Sequence, residues 1–562
     1  MEVNIRIAGA AGQGIQTAAD LLGRAAMRGG LHVYHYSDAE SRIRGGLNFS
    51  HLRIANRPLA GVSETVDVLV ALSEDGLRAF GDAVDAAGMV LCKGQWSHPC
   101  ALPFHLDELA RQAGSSRAEG VVAVAVVAAM MGLAQRTVSE LVEERFVKQT
   151  QLMAANKQAV ELGFAAVRAA NPDERFRFTL ASAEDNRLWI SGGQATALGA
   201  VAGGVSFLAA YPMSPATSVM TNLAQWAAQT GVIVEQAEDE IAAINMVAGA
   251  SYAGARAMTA TSGGGFALMT EGISLLGMIE APAVIVLAQR PGPATGLPTR
   301  SAQGDLHLAL HAGHGHVPRV IFAPEDIADC LHLTAIALDI AERFQTPVLI
   351  LTDQLLMDSQ TALPPFDVDD LPTERHFLSA TQLDELADYH RFAVTADGVS
   401  PLAAPGASRH VVVASSDEHD EAGHIADSVE IATRMAQKRL DKERTIATQV
   451  QLPLTLSADP AGRQLVLSWG SAKHTVAEAL SLIDNGRFAH LNLRQLWPFP
   501  AAELTALMER ATGVIVVENN VTGELARLVR AETLRAADTV VTKLNGRPLT
   551  VQELVRRLRG EV

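Results

Sequence analysis

The chain has 562 residues, too long for one core, and its size predicts roughly three to four domains. Hydrophobic residues make up 48% and charged residues 19%, which excludes wholesale disorder, and the formal net charge of −17 argues against nucleic acid or an anionic membrane as partner. No 18-residue apolar run is free of polar breaks, and the start MEVNIRIAGA has no basic leader region, so the expectation is a soluble, cytoplasmic protein.

In chain order, Val3–Ala8 reads as a strand running into Gly9-Ala10-Ala11-Gly12-Gln13-Gly14 and a helix from about Thr17 to Arg28. Strand, glycine turn and helix form a phosphate cradle, because glycines admit the backbone and helix N–H groups face the anion. The spacing is GxxGxG rather than GxGxxG, so a plain strand–helix turn is an equal reading. In Ser41-Arg42-Ile43-Arg44-Gly45-Gly46, Arg42 and Arg44 beside a glycine pair suit a second phosphate, or a solvated hairpin turn. Val66–Leu72 and Met89–Cys92 predict further parallel strands, and Gly120–Leu133 and Thr150–Ala170 predict helices.

After the polar connector Ala181–Arg187, helices alternate with short apolar strands. The predicted strands are Phe207–Ala210, Val232–Glu235, Ala257–Thr261, Ala283–Ala288 and Pro347–Leu351; the helices between them include Pro215–Thr230, Glu238–Ala255 and Phe266–Ile279. Such alternation predicts a parallel sheet covered on both faces, with ligands past the carboxyl ends of its strands. Residues 360 to about 455 show little periodicity until an amphipathic helix at Ser428–Arg444, and α/β patterning returns over 464–562.

Glu240 is the first candidate for chemistry, an acid entering a run of small apolar residues, where burial would raise its pKa and suit it to proton exchange with a ring nitrogen. Glu238 and Asp239 compete, and all three also fit as acids complementing a helix dipole. Arg290 sits at a strand end on a stiff Pro/Gly loop, placed for a substrate carboxylate or for solvent. Thr299 closes that loop; Ser214, between prolines, suits a substrate hydrogen bond or a helix cap. His307, His311, His314 and His316 cluster without a zinc pattern, and Glu418-His419-Asp420 reads as a turn fixing two domains, so no metal site is expected. Cys92, Cys100 and Cys330 are too few for a four-thiolate cluster, so iron–sulfur chemistry would come from a partner chain.

Together these motifs resemble the α chain of a 2-oxoacid:ferredoxin oxidoreductase with a γ domain fused in front. Ala210-Tyr211-Pro212-Met213-Ser214-Pro215 resembles the family's AYPITP, Thr261–Gly265 its TSGPG, and Gln289–Thr299 its QRxGPSTGxPT. TADGVSP, EHDEAGHI, WPFP and VVENN also fit, as do the N-terminal GAAGQGIQTAADLL and RIRGG. The resemblance implies a multidomain α/β protein with a γ-like domain at 1–180, a thiamine diphosphate pyrimidine-binding domain at 188–360, a connector at 361–455 and a transketolase C-terminal-like domain at 456–562.

It also implies that Glu240 bonds the pyrimidine of thiamine diphosphate, with Tyr211, Pro212, Ser262, Gly263 and Gly264 against the cofactor. Ser214, Arg290 and Thr299 match substrate-binding positions, and Gly12, Gly14, Arg42 and Arg44 fall on the coenzyme A side. The diphosphate motif is missing, so Mg²⁺ and a [4Fe-4S] cluster are expected on a β chain, with ferredoxin as electron acceptor and an (αβ)₂ assembly. The form is more like 2-oxoglutarate enzymes than pyruvate ones; pyruvate, branched-chain and aryl 2-oxoacids, or a non-catalytic coenzyme A- or partner-binding module, are the alternatives. The chain departs from the family pattern at Ser214 (usually threonine), at Gly192-Gly193-Gln194 (usually Gly-Asn-Glu) and at Leu402 (usually arginine).

Overall fold

Strands buried on both faces read as near-continuous apolar runs, and the central strands of this chain are of that kind. The computed structural model describes residues 1–562 apart from 41–44, 172–173, 181–185, 484–485 and 562. The chain divides into two units. One holds Met1–Ser191 with Asp358–Phe366 and Thr550–Gln552; the other holds Gly192–Met357, Asp367–Leu549 and Glu553–Val562.

The first unit contains a seven-stranded mixed sheet, in the order Val84–Leu91, Val66–Ala71, Glu2–Ala11, Gly45–Ala55, His32–Ala39, Gln360–Leu363, Leu188–Ser191. Its first three strands are parallel, as their apolar runs predict. His32–Ala39 and Gly45–Ala55 pair antiparallel, two strands that the pattern of residue types conceals. Asn48, Ser50, His51 and Arg53 occupy buried positions of the second strand, so no apolar alternation marks it. The buried charge is matched: Arg53 donates to Glu2 Oε1 at 2.6 Å and to Gly61 O at 2.6 Å. Ile15–Arg28 packs its apolar face on this sheet, and Glu119–Met130, apolar all round, lies against Thr150–Ala170.

The second unit contains two sheets. The larger runs Gln495–Trp497, Val320–Phe322, Pro347–Asp353, Ala283–Gln289, Ala257–Thr261, Phe207–Ala210, Ile233–Gln236. All its neighbours are parallel except the edge strand Gln495–Trp497, which pairs antiparallel with Val320–Phe322. The smaller is parallel, in the order Phe488–Leu493, Gln464–Trp469, Gly513–Glu518, Thr539–Thr542. Helix Gly192–Ala202 lies tight against its neighbours: a Cβ on Gly192 would strike Leu356 O and one on Gly193 the Ser218 hydroxyl. This close approach accounts for the glycine pair. The expected helix Phe266–Ile279 is two helices, Gly263–Leu268 and Thr270–Met278, joined at Met269.

The segment after Phe366 is largely irregular up to helix Val429–Gln449, and buried charge fastens it to the larger sheet's helices. Lys438 and Lys442 both donate to the Glu280 carboxylate, the former at 2.6 Å. Arg391 donates to Glu280 O at 2.7 Å. The Glu418–Asp420 stretch joins in: Arg439 donates to Glu418 Oε2 at 2.7 Å, and the His419 ring lies 3.9 Å from that of Phe392.

Candidate active site

Four neighbouring parallel strands end at the same side of the larger sheet, and each is followed by a segment that sequence reasoning singled out. Phe207–Ala210 leads into Tyr211–Pro215, Ile233–Gln236 into Glu240, Ala257–Thr261 into Ser262–Gly265, and Ala283–Gln289 into Arg290. The carboxyl ends of parallel strands are where such sheets bind ligands.

Asp239 caps helix Glu240–Tyr252 through its Oδ1, which accepts from the Ala242 N–H at 2.7 Å. Glu240 is therefore the first helical residue. The cap separates the three competing acids: Glu238 and Asp239 are exposed, whereas Glu240 is 3% exposed. Its Oε1 is buried and has no hydrogen-bond partner. Burial pushes the Glu240 carboxyl up from the ordinary glutamate range; its own backbone N–H opposes the shift, Asp239 adds to it and Arg290 opposes it.

Gly265 makes room for this carboxyl, since a Cβ there would collide with Glu240 Oε1 and Thr261 Oγ1. Ser262 is fully buried at the cap of the next helix, and its hydroxyl too is without a partner. Tyr211 is 40% exposed and Pro212 half-buried.

Arg290 donates from Nη1 to the Ser214 carbonyl oxygen at 2.8 Å, which brings these two predicted substrate residues together. Ser214 does not cap a helix; Thr217–Thr230 starts three residues later with Ala216 as its cap. The loop after Arg290 folds back on itself, with the Leu297 N–H donating to Pro291 O at 3.0 Å and the Arg300 N–H to Leu297 O at 3.1 Å. Thr299 sits half-buried at its end. Burial lowers the Arg290 pKa, and the neighbouring acids Asp305 and Glu240 oppose that shift.

Two residues escaped sequence reasoning. Gly265 was visible only as the third glycine of its run. Asp305 stands in no motif that the sequence offers.

In the first unit, Gly12 and Gly14 adopt positive φ and line a cleft of about 400 Å³ with Ser37, Asp38, Asn48 and Ser50. The N-terminus of helix Ile15–Arg28 opens into it. Arg42 and Arg44 lie outside the described residues.

The histidines divide. His307 and His311 have ring centroids 6.1 Å apart on one short helix, while His316 Nε2 meets Glu443 Oε2 at 2.9 Å. Among the described residues, no group of three or more His, Cys, Asp or Glu side chains is placed to hold a metal ion. None of their helices is long and apolar enough to cross a membrane.

Three family models match the chain. "Pyruvate ferredoxin/flavodoxin oxidoreductase" covers residues 4–166, "Pyruvate flavodoxin/ferredoxin oxidoreductase, thiamine diP-bdg" residues 198–438, and "Pyruvate:ferredoxin oxidoreductase core domain II" residues 464–554. A 2-oxoacid:ferredoxin oxidoreductase subunit alpha from a Sulfolobus species is 31% identical, across 99% of this chain and 96% of that one. The chain belongs to the alpha-subunit family of 2-oxoacid:ferredoxin oxidoreductases. A solved 2-oxoglutarate:ferredoxin oxidoreductase from Magnetococcus marinus, with 2-oxoglutarate, coenzyme A and succinyl-CoA bound, superimposes with a TM-score of 0.92 at 31% identity, covering 100% of this chain and 99% of that one. The 2-oxoglutarate synthase subunit KorA of Methanothermobacter thermautotrophicus is 31% identical over 66% of this chain and 97% of its own length.

As a member of this family the chain is a subunit of a thiamine-dependent enzyme acting on 2-oxoacids. The residues at the strand ends fit the pyrimidine half of thiamine diphosphate: a buried acid with an unmatched oxygen, packed against Gly265, and a buried unmatched hydroxyl at Ser262.

Proposed function

We propose that this chain is the alpha subunit of a 2-oxoglutarate:ferredoxin oxidoreductase, which with a β chain converts 2-oxoglutarate and coenzyme A to succinyl-CoA and CO₂ and passes electrons to ferredoxin. The observation that carries the reading is the buried, unpartnered Oε1 of Glu240 at the strand ends, within electrostatic reach of Arg290. The named substrates of the Magnetococcus and Methanothermobacter relatives support 2-oxoglutarate within the broader class.

Bound thiamine diphosphate supplies the carbon nucleophile and electron sink that decarboxylation of a 2-oxoacid requires. Glu240 would face the pyrimidine; burial raises its pKa, which suits it to proton exchange with a ring nitrogen. Ser262, Gly263 and Gly264 would line the ring with backbone and hydroxyl, and Tyr211 and Pro212 would close its other side. Arg290, anchored on Ser214 O, offers its remaining N–H groups to the substrate carboxylate, with the Ser214 and Thr299 hydroxyls beside it. Gly12 and Gly14 would take the coenzyme A phosphates at the helix N-terminus.

The three cysteines, Cys92, Cys100 and Cys330, are too few for a cluster, so [4Fe-4S], Mg²⁺ and the diphosphate contacts are assigned to the β chain in an (αβ)₂ assembly. Ile241 and Met246, 49% and 40% exposed on the Glu240 helix, suit coverage by that chain. The expected location is the cytoplasm.

The test is co-expression with a β chain and an assay of coenzyme A-dependent viologen reduction across 2-oxoglutarate, pyruvate, branched-chain and aryl 2-oxoacids. The highest kcat/KM is expected for 2-oxoglutarate. A preference for pyruvate, the substrate named in the family descriptions, would replace the substrate assignment; no activity with any 2-oxoacid would remove the reading.

A further inference from the structure

Asp305 ends the loop that begins at Arg290 and precedes helix Leu306–His311. Its backbone N–H donates to Gln289 Oε1 at 3.0 Å, and Gln289, next to Arg290, donates from Nε2 to Thr352 O at 3.0 Å. The chain that leaves the sheet at Arg290 thus returns to the same strand end at Asp305.

A Cβ built on Gly263 would stand 2.5 Å from Asp305 Oδ1 and 2.6 Å from Oδ2, so the carboxyl lies flat on the first glycine of the turn that borders Glu240. Oδ2 is buried and receives no donor. The groups facing Asp305 come from several elements. Helix Gly263–Leu268 brings no titratable side chain. Helix Glu524–Thr533 brings Glu524, a like charge whose Oε2 accepts from the His307 N–H at 3.0 Å. The helix that follows Asp305 carries His307 and His311. Arg290, beside Gln289, is the cation within electrostatic reach of Asp305, and also of Glu240.

An ionised carboxylate with an undonated buried oxygen and an acidic neighbour is costly, so this geometry favours the neutral acid. We propose that Asp305 is a positioning residue for the charge of Arg290: protonated, it leaves the guanidinium to the carboxylate of the 2-oxoacid; ionised, it competes with that carboxylate for the same cation. Burial, followed by Glu524, pushes the Asp305 carboxyl up to about 7, with Arg290 pulling the other way, so the exchange falls in the neutral range. The inference rests on the 2-oxoacid reading of the crevice.

The test is calorimetric titration of 2-oxoglutarate into the full chain with its β partner, free of thiamine diphosphate so that no turnover occurs. Wild-type affinity is expected to fall roughly tenfold between about pH 6 and about pH 9. Asp305→Asn, neutral throughout, is expected to hold the low-pH affinity across the range. Glu524→Gln removes the like charge and is expected to move the fall to lower pH, which a merely structural role for Asp305 would not produce. It also serves as the test if the asparagine variant does not fold. The same pH course in Asp305→Asn, or an unmoved midpoint in Glu524→Gln, would overturn the proposal while leaving the substrate assignment intact. Absence of 2-oxoacid binding by wild type at every pH would overturn both.

Discussion

Arg290 reaches across two loops to bond the carbonyl oxygen of Ser214 at 2.8 Å. The acceptor is backbone, so the anchor survives any side chain at position 214. Ser214→Ala is therefore expected to leave Arg290 in place and to alter KM among 2-oxoacids rather than thermal stability. Arg290→Lys loses the planar fork, and kcat/KM is expected to drop about 10- to 100-fold, the range of one charged hydrogen bond. Steady-state kinetics of the αβ complex over a panel of 2-oxoacids checks both.

Glu240→Gln is expected to lower turnover by about 10²- to 10⁴-fold while the chain stays folded. The wild-type carboxyl is raised by burial, so the folded state holds its proton more tightly than the unfolded chain does. Wild type should therefore gain stability relative to the glutamine variant as pH falls into the ordinary carboxylate range, and lose it as pH rises. Melting temperatures of the two proteins across that range measure the difference.

The three glycines of Gly263–Gly265 are not equivalent. A Cβ at Gly264 meets nothing closer than Ala294 O at 3.8 Å, whereas one at Gly265 strikes Glu240 and one at Gly263 the Asp305 carboxyl. Gly264→Ala is expected to be neutral or to stabilise by about 0.4–1 kcal/mol through the unfolded chain. Gly265→Ala is expected to displace Glu240 and abolish turnover. Denaturant melts check the Gly264→Ala expectation, and the viologen assay reads the loss in Gly265→Ala.

Glu280 is buried among Lys438, Lys442 and Arg391. Burial opposes its ionisation, but Lys442, Lys438 and Arg391 outweigh it and hold the carboxyl well below the usual range. That contribution is present above the ordinary glutamate pKa and is lost as pH falls through the lowered value. Burial pushes the Lys442 pKa down, with Glu280 opposing, so stability rises as pH rises from the lowered value toward the ordinary lysine range. Glu280→Gln leaves buried cations without their anion and is expected to cost about 3–5 kcal/mol in urea unfolding.

Much of the larger sheet was legible because its strands are buried on both faces and carry little but apolar residues; Phe207–Ala210 and Ala257–Thr261 fall where the pattern put them. The strand Gly45–Ala55 was hidden by its buried Asn48, Ser50, His51 and Arg53, whose hydrogen-bonding neighbours no local pattern reports. Gln360–Leu363 was hidden for another reason: its partners His32–Ala39 and Leu188–Ser191 are far away in sequence. At the strand ends, sequence put Glu240 and Arg290 first; what no pattern offered was the Asp239 cap, which leaves Glu238 and Asp239 exposed and Glu240 buried. Asp305 needed its distance to Gly263, which no spacing encodes.

Gln495–Trp497 seats itself on the outer rim of the larger sheet against Val320–Phe322. Without it, that rim would offer a row of bare amide and carbonyl groups to any passing strand. Excising residues 192–357 as a free-standing thiamine-site fragment should therefore give sticky, self-associating material rather than a soluble miniature of the enzyme.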